Sequence, residues 1–314
     1  MTVVALAGGI GAGKFLRGLV RAVPPGDVAV VVNTGDDITL HGLHVSPDID
    51  SVTYWLAGLA DRERGWGREG DTFRATEELR ALGSEEAWFN LGDLDLATHI
   101  YRTALLDSGS TLSEATERIT RRFGIESRVL PMSDDPVTTR IHAVGDGGEL
   151  LDLHFQEYWV KRGARDAVKE VVYEGATSAR PGPGVLDALS AADGIVLCPS
   201  NPVASIGPIL AVPGIRDALE RVRERVVGIS PIVAGAPLRG MADRLMPVAG
   251  LEVSCVGAAR AYGGLLGSWV IDEQDAGFAV SIEEMGVRVG VTDTIMTDDA
   301  KAEALARFAL EAVR

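Results

Sequence analysis

Cysteine is nearly absent: Cys198 and Cys255 are the only two, and they form no CxxC pair. A disulfide framework and a cysteine-based zinc centre are therefore not expected, and both thiols read as small core residues in a reducing compartment, the cytoplasm. Long apolar runs are lacking as well. No stretch approaches the length of a membrane span, and MTVVALAGGIGAGK has neither a basic start nor a long apolar segment, so it does not read as a signal peptide. Cations are outnumbered, 30 Lys and Arg against 45 Asp and Glu, for a formal charge of −15. Such a surface has no cation excess to release phosphate counterions, which argues against a nucleic-acid binder but not against a small local phosphate site.

What is present is ordinary globular material, 46% hydrophobic and 24% charged over 314 residues, with no internal repeat or low-complexity tract. VVALA (3–7) and VAVVVN (28–33) read as buried strands around a helix from Lys14 to Val23. That βαβ opening implies a parallel sheet covered on both faces. GIVLCP (194–199), RVVGIS (225–230) and SWVID (268–272) each follow a helical pattern and continue the theme. The last segment (298–313) reads as a terminal helix capped by Asp298. Residues 127–160 look strand-like throughout. The expectation is one α/β domain over 1–314, a Rossmann-like, open and mostly parallel sheet with helices on both faces, carrying a largely helical insertion over 50–123.

Gly8-Gly9-Ile10-Gly11-Ala12-Gly13-Lys14 follows the first strand. Glycines at Gly9, Gly11 and Gly13 let backbone N–H groups approach an anion, and the helix dipole and Lys14 add positive charge. The pattern departs from a P-loop at Phe15, where the magnesium-binding hydroxyl would stand, and from GxGxxG at Lys14. The second strand ends in Asn33-Thr34-Gly35-Asp36-Asp37. Adjacent carboxylates at a strand end suit a hard cation such as Mg2+, or form a polar turn. In Ser46-Pro47-Asp48-Ile49-Asp50, Asp48 fits equally a helix start or a ligand. Asp50 could orient or deprotonate a hydroxyl, or hold metal.

These segments resemble a known family. GGIGAGKFLRGL, VVVNTGDD, GLHVSPDIDSVTYWLAG, WFNLGDLDLATHIYRT, LPMSDDPVTT, LHFQEYWV, PSNPVASIGPIL, SPIVAGAPLRGMADRLM and DTIMT, in this order, are similar to the 2-phospho-L-lactate transferases of coenzyme F420 biosynthesis. The Lys14-Phe15 form resembles their actinobacterial branch, the phosphoenolpyruvate transferases. The resemblance implies a magnesium-dependent homodimer. It implies transfer of a phosphoenolpyruvyl or phospholactyl group from a guanosine-diphosphate-activated acid to the ribityl hydroxyl of the deazaflavin FO, with release of GMP. By the same resemblance, Lys14 and the glycine loop hold phosphates, and Asp36, Asp37, Asp48 and Asp50 bind magnesium or grip the hydroxyl. Asn90 and Asp93 lie near the deazaflavin, Asp93 fitting equally a cap for the helix at 94–106. Ser133, Asp134, Ser200 and Asn201 lie on the nucleotide side. Trp55, Trp66 and Trp88 are candidates for stacking on the ring. Arg102 and Thr103 read as a helix face, solvated or at the core edge, or equally as a site for the substrate carboxylate. Substitution of Asp50 by Ala is expected to abolish turnover with little effect on melting. A sister family of nucleotide-sugar-binding regulators shares the GG-x-G and NTxDD segments. SPDID, WFNLGDLDLATHI and HFQEYWV favour the transferase.

Overall fold

A computed structural model describes residues 1–313. Its centre is a seven-stranded sheet in which every neighbouring pair is parallel. In chain order the strands are β1 (Val3–Ala7), β2 (Val28–Val32), β5 (Arg128–Pro131), β9 (Gly194–Leu197), β10 (Val226–Ile229), β13 (Ser268–Asp272) and β14 (Arg288–Thr292). The numbers between belong to a hairpin β3–β4 (Ile38–Leu40, Leu43–Val45), a three-stranded antiparallel sheet β6–β8 (Thr138–Val144, Leu150–His154, Ala167–Glu174) and a hairpin β11–β12 (Ile232–Val233, Ala236–Pro237). The spatial order β14-β13-β10-β9-β1-β2-β5 is the doubly wound Rossmann order extended by one strand. Its direction reverses between β1 and β9, and the crevice at such a reversal is where ligands bind.

Alternation along β1 shows why both faces are covered. Val4 and Leu6 pack into one core with Ile195 and Leu197. Val3, Ala5 and Ala7 pack into another with Phe15, Leu16 and Leu19 of helix α1 (Gly9–Ala22) and with the terminal helix Asp299–Glu311. A strand buried on both sides has no polar face, hence the unbroken VVALA. Asp298 does cap the terminal helix, accepting from the Ala300 and Lys301 amides.

Two boundaries differ from the sequence reading. Helix α1 begins at Gly9, not Lys14, so the glycine segment is itself the first turns of the helix. The strand-like stretch to Val160 ends at His154, and Glu157–Lys161 forms a wide π-type helical turn. A second such turn covers Pro202–Ile206. Both flank the crevice, and wide turns of this kind occur mostly at functional sites. From Pro47 to Arg122 the regular elements are helices: α2 (Pro47–Ala57), α3 (Arg74–Ala81), α4 (Asp93–Asp107) and α5 (Leu112–Arg122). Among the described residues, no helix is long and apolar enough to cross a membrane.

Candidate active site

A cavity of about 620 Å³ opens over the carboxyl ends of the strands at the reversal point. Gly8, Gly9, Ile10, Gly11 and Lys14 line it after β1, Asp36 after β2, and Pro199, Ser200 and Asn201 after β9. Asp48 and Asp50 enter from α2, Asn90 from the loop before α4, and Asp95 and His99 from α4. The chain thus brings Lys14, Asp36, Asp48, Asp50, Asn90, Ser200 and Asn201 around one space.

Asp48 ties three elements together. Its Oδ1 accepts from the Gly9 amide at 2.7 Å and its Oδ2 from Asn33 Nδ2 at 2.9 Å. Asn33 in turn accepts from the Gly35 amide. Burial pushes the Asp48 carboxyl up to about 6, against the downward pull of Asn33 and Gly9. Ser200 Oγ donates to the Gly8 carbonyl at 2.8 Å, so the glycine turn is bolted from both sides. Asn201 Oδ1 accepts from the Val203 and Ala204 amides and caps the wide turn that follows.

Asp50 is held from beneath. Arg102, fully buried on α4, closes both guanidinium arms on its carboxylate, the Nη1 arm at 3.0 Å, and also reaches the His44 carbonyl. Arg102 is therefore neither a solvated nor a core-edge residue. His99 lies between Asp50, at 3.5 Å, and Asp95, at 3.4 Å, and Tyr54 donates to Asp95 at 2.6 Å. Asp50, Asp95 and His99 are close enough to share an ion, but Arg102 already supplies positive charge there. Burial pushes Asp95 up, yet His99 and Tyr54 outweigh it and hold the carboxyl below its usual range.

The acidic loop is differently placed. Asp37 is fixed by Ser46 Oγ at 2.7 Å and His44 Nε2 at 3.0 Å through one oxygen, while its Oδ1 has no partner. Asp36 receives only a long contact from Gln156 Nε2 at 3.5 Å, and its Oδ1 is also orphaned. Burial raises both carboxyls, Asp36 strongly, with Asp48 adding repulsion. Of the four candidate metal ligands, the unspent buried oxygens belong to Asp36 and Asp37. Those of Asp48 and Asp50 are engaged by the protein itself.

Several expected site residues do other work. Gly13 faces Trp55, whose indole a Cβ at that position would approach to 2.3 Å. Asp93 accepts from Thr72 Oγ1 and the Ala75 amide, and so caps α3, the preceding helix, while Asp71 accepts from the Leu94 and Asp95 amides and caps α4. Ser133 and Asp134 stand off the cavity: Ser133 Oγ donates to the Arg180 carbonyl and Asp134 accepts from the Ser113 amide. Trp88 packs on Phe89, and of the three tryptophans considered only Trp66 reaches the cavity wall. Residues not singled out in the sequence, though they lie in the resembling segments HFQEYWV, SPIVAGAPLRGMADRLM and DTIMT, complete that wall: Phe155, Gln156 and Trp159 around one wide turn, Arg239 after β12, and Thr294–Thr297 after β14.

The profile of the family described as 2-phospho-L-lactate transferase CofD matches residues 3–304. A phosphoenolpyruvate transferase of Streptomyces griseus is 51% identical over 312 residues, covering 99% of this chain and 98% of its own. A 2-phospho-L-lactate transferase of Methanosarcina acetivorans is 41% identical, covering 97% of each chain. The crystal structure of a UPF0052-family protein from Bacillus halodurans superposes with a TM-score of 0.63 at 18% identity over 98% of both chains, a likeness of fold. The chain belongs to the CofD family of 2-phospho-L-lactate transferases.

Proposed function

We propose that the protein is a transferase of coenzyme F420 biosynthesis. It moves a phosphoenolpyruvyl or 2-phospholactyl group from its guanosine-diphosphate-activated form to the ribityl hydroxyl of FO. The hydroxyl oxygen bonds to the phosphorus bearing the acid and gives up its proton to solvent, the bond from that phosphorus to the bridging oxygen breaks, and GMP leaves with the electron pair. The observation that supports this most directly is one cavity lined both by the cationic Lys14 and by the Asp36 and Asp50 carboxylates. Phosphoryl-type transfer asks for positioning and charge neutralisation, not a covalent nucleophile.

In this reading the α1 N-terminus and Lys14 hold the diphosphate. Asp50, kept in one orientation by Arg102, accepts the hydrogen bond of the incoming hydroxyl. Trp66, Phe89, Phe155 and Trp159 offer aromatic surface to the deazaflavin. Asp36 and Asp37 fit Mg2+, since each keeps a buried oxygen without a partner. The ion would neutralise charge developing on the bridging phosphate oxygens. We further propose a cytoplasmic homodimer.

Incubation with FO, magnesium and each guanosine-diphosphate-activated acid, followed by mass spectrometry, tests the reading. GMP and a phosphodiester of FO are expected. Tight guanosine-nucleotide binding with no product from either donor would point instead to a non-enzymatic nucleotide binder.

A further inference from the structure

Lys14 and Arg239 both line the cavity, and among the described residues neither forms an ion pair. That is unusual economy in a chain with 45 acidic side chains against 30 basic ones. Desolvation, with the Arg239 charge facing it, lowers the Lys14 amine below its ordinary value. Two like charges left in one crevice repel until an anion lies between them.

Arg239 is nonetheless engaged. Its Nη1 donates to the Arg64 carbonyl at 2.8 Å and its Nη2 to the Glu63 carbonyl at 3.2 Å. Both acceptors are neutral, so its charge stays uncompensated. The carbonyls belong to segment 61–67, which roofs the cavity through Trp66 and Gly67. This segment has internal order: Asp61 Oδ1 accepts from the Glu63 and Arg64 amides, and the Arg64 guanidinium lies over the rings of Trp66 and Phe73. It rests on the glycine turn, since a Cβ at Gly65 would fall 2.9 Å from Ile10 Cγ2 and 2.9 Å from Arg239 Nη1. Segment 61–67, the glycine turn and the loop carrying Arg239 meet at one point. The Arg239 fork ties segment 61–67 to the loop after β12.

We propose that Arg239 is both a phosphate-binding residue and the latch of this roof: a nucleoside diphosphate seated against Lys14 draws the guanidinium away from the Glu63 and Arg64 carbonyls and frees segment 61–67. Phosphate oxygens are charged acceptors and outcompete carbonyls for a guanidinium. Donor binding would then loosen the roof beside Trp66, so that the diphosphate precedes the bulky acceptor. The proposal rests on the transferase reading only for the identity of the diphosphate.

The test uses the full chain with inorganic pyrophosphate and, separately, GDP, without acceptor. Hydrogen exchange across 61–68 is expected to speed up on binding either. Arg239→Ala, a change on an exposed loop, is expected to weaken pyrophosphate binding by about tenfold or more and to exchange 61–68 rapidly without ligand. Arg239→Lys keeps the charge but not the two-pronged fork. It is expected to retain most of the affinity and lose the ligand-free protection. Unchanged pyrophosphate affinity in Arg239→Ala would overturn the binding role. Unchanged or slower exchange of 61–68 in the pyrophosphate-bound wild type would overturn the latch. Turnover enters neither readout, so failure to form a phosphodiester would count only against the transferase reading.

Discussion

Arg102 and Asp50 form a buried ion pair in which both guanidinium arms meet one carboxylate at the floor of the cavity. Removing either partner leaves the other charged and without water. The expectation that Asp50→Ala would spare the melt therefore does not survive the structure. Asp50→Ala and Arg102→Met are each expected to destabilise the fold by about 3–5 kcal/mol. Thermal or denaturant unfolding checks this. The double variant Asp50→Leu with Arg102→Met should melt above either single variant, because no unpaired charge remains. A melt for Asp50→Ala within a degree of wild type would show that the pair is solvated in solution.

Gly13 and Trp55 give a second prediction. Lys14 reaches the cavity, but the residue before it is pressed against an indole. Gly13→Ala is expected to cost about 1–3 kcal/mol through overpacking. Adding Trp55→Phe should recover part of that loss, since the smaller ring yields space. Trp55→Phe alone should be mildly destabilising, because Trp55 Nε1 donates to the Gly65 carbonyl at 3.2 Å. Additive losses across the double-mutant cycle would refute the contact.

The contrast between Gly13 and its neighbours shows what the sequence could and could not convey. Strand–helix alternation, apolar strands and the glycine turn were legible because they obey local rules: unbroken apolar runs for strands buried on both faces, and a turn directly after β1. Side-chain assignment was less so. Four carboxylates at Asp36, Asp37, Asp48 and Asp50 are the same residue type, yet tertiary partners divide them into two engaged and two with free oxygens. Asp93 begins its own helix but caps the one before, an exchange with Asp71 visible only once α3 and α4 lie side by side. Arg239 and Thr294–Thr297 lie in the resembling segments SPIVAGAPLRGMADRLM and DTIMT, but no role for them was legible because loops after late strands carry no periodicity. Beyond that resemblance their signal was position, following apolar runs that proved to be parallel strands.

Asp36 invites a test that separates stability from chemistry. Its carboxylate is buried with one oxygen unpaired, so in metal-free buffer its charge destabilises the fold. Asp36→Asn is expected to raise the melting temperature without magnesium. Wild type should be stabilised by added Mg2+ through preferential binding to the folded state, and Asp36→Asn should respond much less. Equal magnesium responses in the two proteins would remove Asp36 from the metal site.

Lys14 supplies the pH dependence. Desolvation and the facing charge of Arg239 make its amine release a proton more readily than a free lysine with its ordinary value of 10.5. A bound diphosphate reverses that effect by favouring the charged form. Folding alone therefore disfavours the ammonium, and anion binding restores it. Linkage then requires that binding take up protons as pH rises through the lowered value, and that affinity for pyrophosphate fall over the same interval, below 10.5. Titration calorimetry in two buffers of different ionisation enthalpy reads the uptake directly. Lys14→Met should bind pyrophosphate more weakly at every pH and take up fewer protons than wild type. A Lys14→Met variant with undiminished uptake would assign the titrating group elsewhere.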